Sequence, residues 1–143
     1  MRDGKERVVV RMRDGRRVCG FCDSFGPRGM SFILDGDDES AARMIDLRDV
    51  KAVFGVKRFE GDPLYRDDAK APYSARYGRP TLIEFVDGEV MRGYSQGLPL
   101  DGVGFFMFPC DPQSNNLWVY VVIDAVQRVR FGARSAAMSV AAA

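Results

Sequence analysis

Moved along itself by 73 positions, the stretch from Val8 to Asp38 falls without a gap on a second stretch of the same chain. Asp14-Gly15 meets Asp87-Gly88, Gly20 meets Gly93, Gly29 meets Gly102, Phe32 meets Phe105 and Asp38 meets Asp111. Val10, Met12, Val18 and Phe21 fall on Ile83, Phe85, Met91 and Tyr94. Extra residues near Pro112 to Asn116 then change the offset to 76, and Ile45, Leu47, Val50 and Val53 meet Val121, Ile123, Val126 and Val129. Matches concentrated at turn glycines and apolar positions are what a duplicated fold unit keeps after its surface has diverged. The chain has 143 residues, and units of half that size bury little core alone, so the two copies are expected to pack on each other.

Each copy reads as strands. Val8, Val10 and Met12 alternate with Arg7, Val9, Arg11 and Arg13, the period-two pattern of a half-buried strand whose polar face is expected in water. Asp14-Gly15 favours a positive-φ hairpin turn, so Arg16 to Cys22 should return antiparallel. Gly20 within that strand predicts a bulge, a bend or the close approach of another backbone. Further strands are expected over 30–34, 43–46 and, after a single helical turn near Asp49, up to Phe54. The second copy repeats the order over 81–86, 89–95, 104–108, 117–122 and 126–131.

The fold class predicted is all-β: two tandem SH3-like or Sm-like small barrels, related by a pseudo-two-fold duplication, over 6–55 and 79–131. An irregular linker, 56–78, joins them, with Tyr65, Tyr73 and Tyr77 free to pack on either barrel, and 132–143 forms a frayed or short helical tail. No apolar run approaches the roughly 20 residues of a membrane span, and Met1 to Glu6 is polar, so a cytoplasmic protein is expected. Three cysteines, an odd number, with no secretory signal point to reduced thiols rather than a disulfide framework.

The string Val8-x-Val10-x-Met12-x-Asp14-Gly15-Arg16-x-Val18-x-Gly20, followed by Phe32-Ile33-Leu34, resembles the first motif of Sm-like five-stranded barrels, and Ile45-x-Leu47-x-x-Val50 is similar to their closing segment. The resemblance implies a small barrel and raises RNA binding. The Asp and Asn that Sm-like proteins place after the second strand are not matched by Gly26, Pro27 and Arg28 or by Pro99, Leu100 and Asp101. The whole chain also resembles an uncharacterised bacterial tandem-repeat family, through Leu47 to Phe54, Phe59-Glu60-Gly61-Asp62-Pro63 and Phe108 to Asn116. That likeness implies no activity.

The sequence contains no histidine, which removes the commonest general base, the commonest metal ligand and every Ser-His or Cys-His pair. No two carboxylates can be assigned acid and base roles, and Gly-rich phosphate loops are absent. Cys19-Gly20-Phe21-Cys22 has a CxxC spacing, but on a strand residues three apart face opposite ways. No catalytic residue, metal site or cofactor is therefore assigned.

Two binding surfaces stand out. Arg11, Arg13, Arg16 and Arg17 should crowd the outer face of the first hairpin and take phosphates of a nucleic acid or one anionic ligand. Arg13-x-x-x-Arg17 with Asp23-Ser24 is similar to the cyclic-dinucleotide pattern of PilZ domains, but Phe25 stands where a serine is needed and the spacing is short. The second copy is aromatic instead: Phe106, Phe108, Trp118 and Tyr120, beside the polar loop residues Gln113, Asn115 and Asn116, need a cover, supplied by the first copy or a partner. The expected function is a non-enzymatic protein-binding or adaptor module, with a protein partner or a second copy as its target. The alternative is nucleic-acid or anionic-ligand binding through the first hairpin.

Overall fold

The computed structural model describes residues 4–26, 29–36, 42–61, 64, 78–97 and 102–132. The regular structure is strands and single 3-10 turns, so the chain is all-β. The first half holds β1 (Glu6–Met12), β2 (Arg17–Cys22), β3 (Ser31–Leu34), β4 (Arg43–Asp46), a 3-10 turn at Leu47–Asp49 and β5 (Val50–Val56). The second holds β6 (Arg79–Phe85), β7 (Val90–Ser95), β8 (Gly104–Met107), β9 (Asn116–Val122), a 3-10 turn at Ile123–Ala125 and β10 (Val126–Phe131). Residues 37–41, the three tyrosines between the halves and the tail from residue 133 lie outside the described residues.

Pairing in the two halves coincides residue for residue under the sequence offsets. Val8↔Gly20 and Arg11↔Arg17 in the first hairpin become Thr81↔Gly93 and Glu84↔Val90 in the other. Phe32↔Ile45 and Ile33↔Met44 become Phe105↔Val121 and Phe106↔Tyr120. Val10↔Val53 becomes Ile83↔Val129, with a register shift at the matching place in both pairs. Gly20 and Gly93 each lie under a neighbouring carbonyl, that of Asp35 and that of Phe108, so a Cβ at either would collide with backbone. Of the alternatives the sequence allows, close backbone approach is the one realised. It lets Phe21 bridge to Asp35 and Tyr94 to Phe108, joining β2 to β3 and β7 to β8.

The expected closed barrels do not form. Among the described residues there are three sheets, of order β2-β1-β5-β9-β8, β10-β6-β7 and β3-β4, and none returns on itself. The reason is β5, whose free edge pairs with β9 of the other half (Ala52↔Val121, Val53↔Tyr120, Phe54↔Val119, Gly55↔Trp118) instead of with a strand of its own half. Nor is the join two-fold: a two-fold axis would also pair β10 with β4, and these strands end separate sheets.

The central five-stranded sheet therefore has cores on both faces, and each core is built by both halves. Val8, Val10, Met12, Val50 and Val53 gather with Phe32, Leu34 and Ile45 of the β3–β4 hairpin, and Tyr120 and Val122 of the second half complete that cluster. On the opposite face, Val9, Ala52, Phe54 and Val56 of the first half join Ile83, Phe85, Met91, Phe105, Met107, Val119 and Val121. Every residue of β5 is buried as a result. A strand flanked on both edges and covered on both faces has no room for a polar face, which is why its one charged residue, Lys51, has to carry its partners with it.

Candidate functional site: a cleft on the seam between the halves

Alternation along β1 sends Val8, Val10 and Met12 to one core and Val9 and Arg11 to the other face. Arg17 of β2 sits directly opposite Arg11 in the register, so the two arginines share that face. They line a cleft of about 210 Å³, floored by Val9, Phe54, Val56 and Phe59 and closed by Glu60, Gly61, Asn115 and Asn116. Residues of both halves thus meet at one opening.

The polar wall is held by backbone hydrogen bonds. The Arg58 N–H donates to Asn115 Oδ1 at 3.0 Å, Asn115 Nδ2 donates to the Arg58 carbonyl at 2.8 Å, and the Lys57 N–H donates to the Asn115 carbonyl at 2.9 Å. Lys57 Nζ donates to the Pro112 carbonyl at 2.9 Å, and Arg7 Nη1 to the Lys57 carbonyl at 3.1 Å. Within the loop, the Gln113 N–H donates to Asp111 Oδ1 and the Asn116 N–H to Ser114 Oγ. The polar loop Asp111 to Asn116 thus caps itself and pins the 57–61 segment. Phe59 packs edge-on against Phe21 at 5.4 Å between centroids, which fixes the cleft floor.

Charge at the cleft mouth is set by a network across the seam. Lys51, only 6% exposed, donates to Asp87 Oδ2 at 2.7 Å and also to Glu89 Oε1, and lies over the Phe85 ring. Glu89 Oε2 is also 3.6 Å from Arg11 Nη1, so one carboxylate serves both cations and positions the Arg11 guanidinium. The Lys51 ammonium, helped by the Glu89 N–H, holds the Asp87 carboxyl below its ordinary range against the opposing effect of burial.

The four arginines of the predicted anionic surface do not stand together. Arg11 and Arg17 line the seam cleft, whereas Arg13 and Arg16 line a separate recess of about 280 Å³ with Asp14, Arg48 and Asp49. The cause is local: the turn begins after Met12, so Arg13 and Arg16 leave the strand face that Arg11 and Arg17 occupy. Charge in the second recess is largely matched in place. Arg16 Nε lies 2.7 Å from Asp14 Oδ2, and Arg48 Nη2 lies 2.8 Å from Asp46 Oδ2. The Arg16 N–H and guanidinium hold Asp14 low, and Arg48 does the same for Asp46.

The aromatic surface of the second half is mostly interior. Tyr120 is 6% exposed and belongs to the first core. Phe25, from the loop after β2, stacks on Trp118 at 5.1 Å and meets Tyr120 and Phe106 edge-on at 5.4 and 6.1 Å. Phe108 exchanges two backbone hydrogen bonds with Tyr94. Of the sequence's two possible covers the first half supplies one, and it leaves Phe106 partly open with Gln113 exposed. Asn115 and Asn116 go instead to the seam cleft.

Sequence reasoning missed Lys51, Glu89, Phe25 and Phe59. A lysine inside an otherwise apolar strand was the available signal for the first. The two CxxC thiols face opposite cores, Cys19 beside the second and Cys22 in the first. Burial pushes the Cys22 thiol up to about 12, and it donates weakly to the Ile33 carbonyl. Among the described residues no group of three or more His, Cys, Asp or Glu side chains is placed to hold a metal ion, and no helix is long and apolar enough to cross a membrane.

The model of a family of unknown function (DUF6982) matches residues 4–133. The chain belongs to that family. The match takes in both halves and the seam, so the DUF6982 unit is the whole paired arrangement rather than one half. No curated protein and no solved structure matches this DUF6982 chain.

Proposed function

We propose that the protein is a non-enzymatic binding module of the cytoplasm that takes an acidic side chain or terminal carboxylate of a partner protein in the seam cleft. The two halves, 6–55 and 79–131, are read as diverged copies of one SH3-like or Sm-like unit, with 56–78 as linker and 132–143 as tail. The coincidence of their registers supports that reading. One observation carries the functional part: Arg11 and Arg17 converge with Asn115 and Asn116 over an apolar floor of Val9, Phe54, Val56 and Phe59. Guanidinium groups suit a carboxylate, and amides suit a peptide backbone. At about 210 Å³ the cleft admits one side chain rather than a whole cofactor, since small-molecule pockets begin at roughly 300 Å³. The division of the four arginines between two surfaces weakens the nucleic-acid alternative, because tracking a backbone needs a continuous row of phosphate contacts.

The test is calorimetric titration of the full chain with short peptides pairing an aspartate or glutamate with an apolar neighbour, alongside nucleotides and single-stranded RNA. Peptide binding should weaken at least tenfold in Arg11→Gln/Arg17→Gln and stay unchanged in Arg13→Gln/Arg16→Gln. Salt-steep RNA binding that depends on Arg13 and Arg16 would replace this reading with the nucleic-acid one.

A further inference from the structure

Taken through the backbone pairings among the described residues, the strands form one linear series: β4, β3, β2, β1, β5, β9, β8, β7, β6, β10. Its middle joint, β5 with β9, leaves the matching strands β10 and β4 at the two ends. Head-to-tail joints of this kind propagate unless something stops them. We propose that the two ends are a disabled copy of the seam, and that Arg43, Arg128 and Arg130 hold the protein to a single unit by blocking the addition of a second copy. The proposal rests on the duplication reading above and not on the seam cleft.

The pairings at the seam show what the ends would need. Ala52 and Phe54 leave β5 on the face that enters the second core, beside Val121 and Val119. Carried by 76 positions, Ala52 becomes Arg128 and Phe54 becomes Arg130, and the residue matching Val119 on β4 is Arg43. A second chain docked in the seam's register would set Arg128 beside Ile45, which is buried in the first core, and Arg130 directly opposite Arg43. One pairing drives the Arg128 guanidinium, which lies 3.9 Å from Glu84 Oε2 in the single chain, toward an apolar core, and the other crowds two guanidinium side chains at one pairing position. Charged side chains on an outer strand are a recognised way of keeping sheet edges from joining.

Other pairs in that register remain compatible with docking. Val129 would meet Met44, and Phe131 would meet Ala42, reversing the small-against-large match of Gly55 with Trp118. Met44 and its neighbour Ile33 are 69% and 52% exposed, while their counterparts Tyr120 and Phe106 are 6% and 37% exposed. The arginines are thus the part of the end surfaces that opposes the joint, and restoring the seam residues there should switch it on.

The experiment is light scattering on the full chain over a range of concentrations. Wild type should hold the mass of one 16.0 kDa chain. The variant Arg43→Val/Arg128→Ala/Arg130→Phe should form dimers and larger multiples as concentration rises. Adding Met44→Asp to one sample of the variant and Val129→Asp to another should return each to a single chain, while their mixture should give a 1:1 dimer, because only one of each pair of ends is then blocked. A folded variant that stays single at all concentrations overturns the proposal, as does a wild type that self-associates and loses this on Val129→Asp. Assembly that persists unchanged in both blocked samples also overturns it. Should the triple variant not fold, Arg130→Phe alone is judged against the same outcomes.

Discussion

The β3–β4 and β8–β9 hairpins share one register, yet Ile33 and Met44 of the first face water while Phe106 and Tyr120 of the second lie beneath Phe25 and beside β5. The difference does not originate in the hairpins. It follows from where each stands in the strand series: β9 is inside and has a neighbour on both edges, whereas β4 is at an end. Hairpins of one register therefore supply glue in one place and open surface in another, and a side chain's type follows the strand's position in the series.

The comparison breaks most sharply at its matched positions. Tyr120→Ser removes a ring from the shared core and should cost about 3 kcal/mol of unfolding free energy, whereas Met44→Ser should stay within about 0.5 kcal/mol. Paired urea denaturation curves measure both, and equal losses would mean that β4 is covered after all. Lys51→Met against Gln127→Met comes next, since only Lys51 crosses the seam to carboxylates. Leaving Glu89 with Arg11 alone should cost about 2 kcal/mol, less than breaking a fully buried pair because Asp87 is half exposed and Arg11 remains, with almost no effect at Gln127.

The same pair sets an acid response. Asp87 titrates lower when folded than unfolded, so the stability it contributes is complete above the unfolded carboxylate pKa and is lost as pH falls through the lowered folded value. Wild type should accordingly lose stability below about pH 4 more steeply than Lys51→Met, as read from thermal midpoints across a pH series. Phe25→Ala should cost about 1 kcal/mol. Trp118 is the one tryptophan of the chain, so removal of its stacking partner should be visible directly as a red shift of its emission.

Much of the layout was legible in the sequence, because the signals were local. Asp14-Gly15 and Asp87-Gly88 mark the hairpins, period-two runs mark the strands, and Gly20 with Gly93 marks the close backbone approach. The join was not legible. Whether β5 closes its own barrel or pairs with β9 depends on two edges separated by some 60 residues, and neither edge carries a pattern naming its partner. One trace of it exists in hindsight, at Gly55, where a Cβ would run into the Trp118 ring. The candidate site was half legible for a related reason. Alternation assigns Arg11 and Arg17 to one face, but only the seam brings Asn115 and Asn116 to them.

The placement of β5 also bears on how the chain is made. Ala52, Phe54 and Val56 leave the ribosome long before β9, the strand that covers their edge. At ordinary elongation rates of 5–20 residues per second, the intervening stretch takes roughly 3 to 12 s to synthesise. Through that interval the nascent first half carries an uncapped strand edge that is apolar apart from Lys51, and its own core lacks Tyr120 and Val122. Completion of the second half is then a release from exposure as well as a gain of structure. Premature termination between Val56 and Asn116 leaves a fragment in which β5 holds only β1 and its other edge stays open.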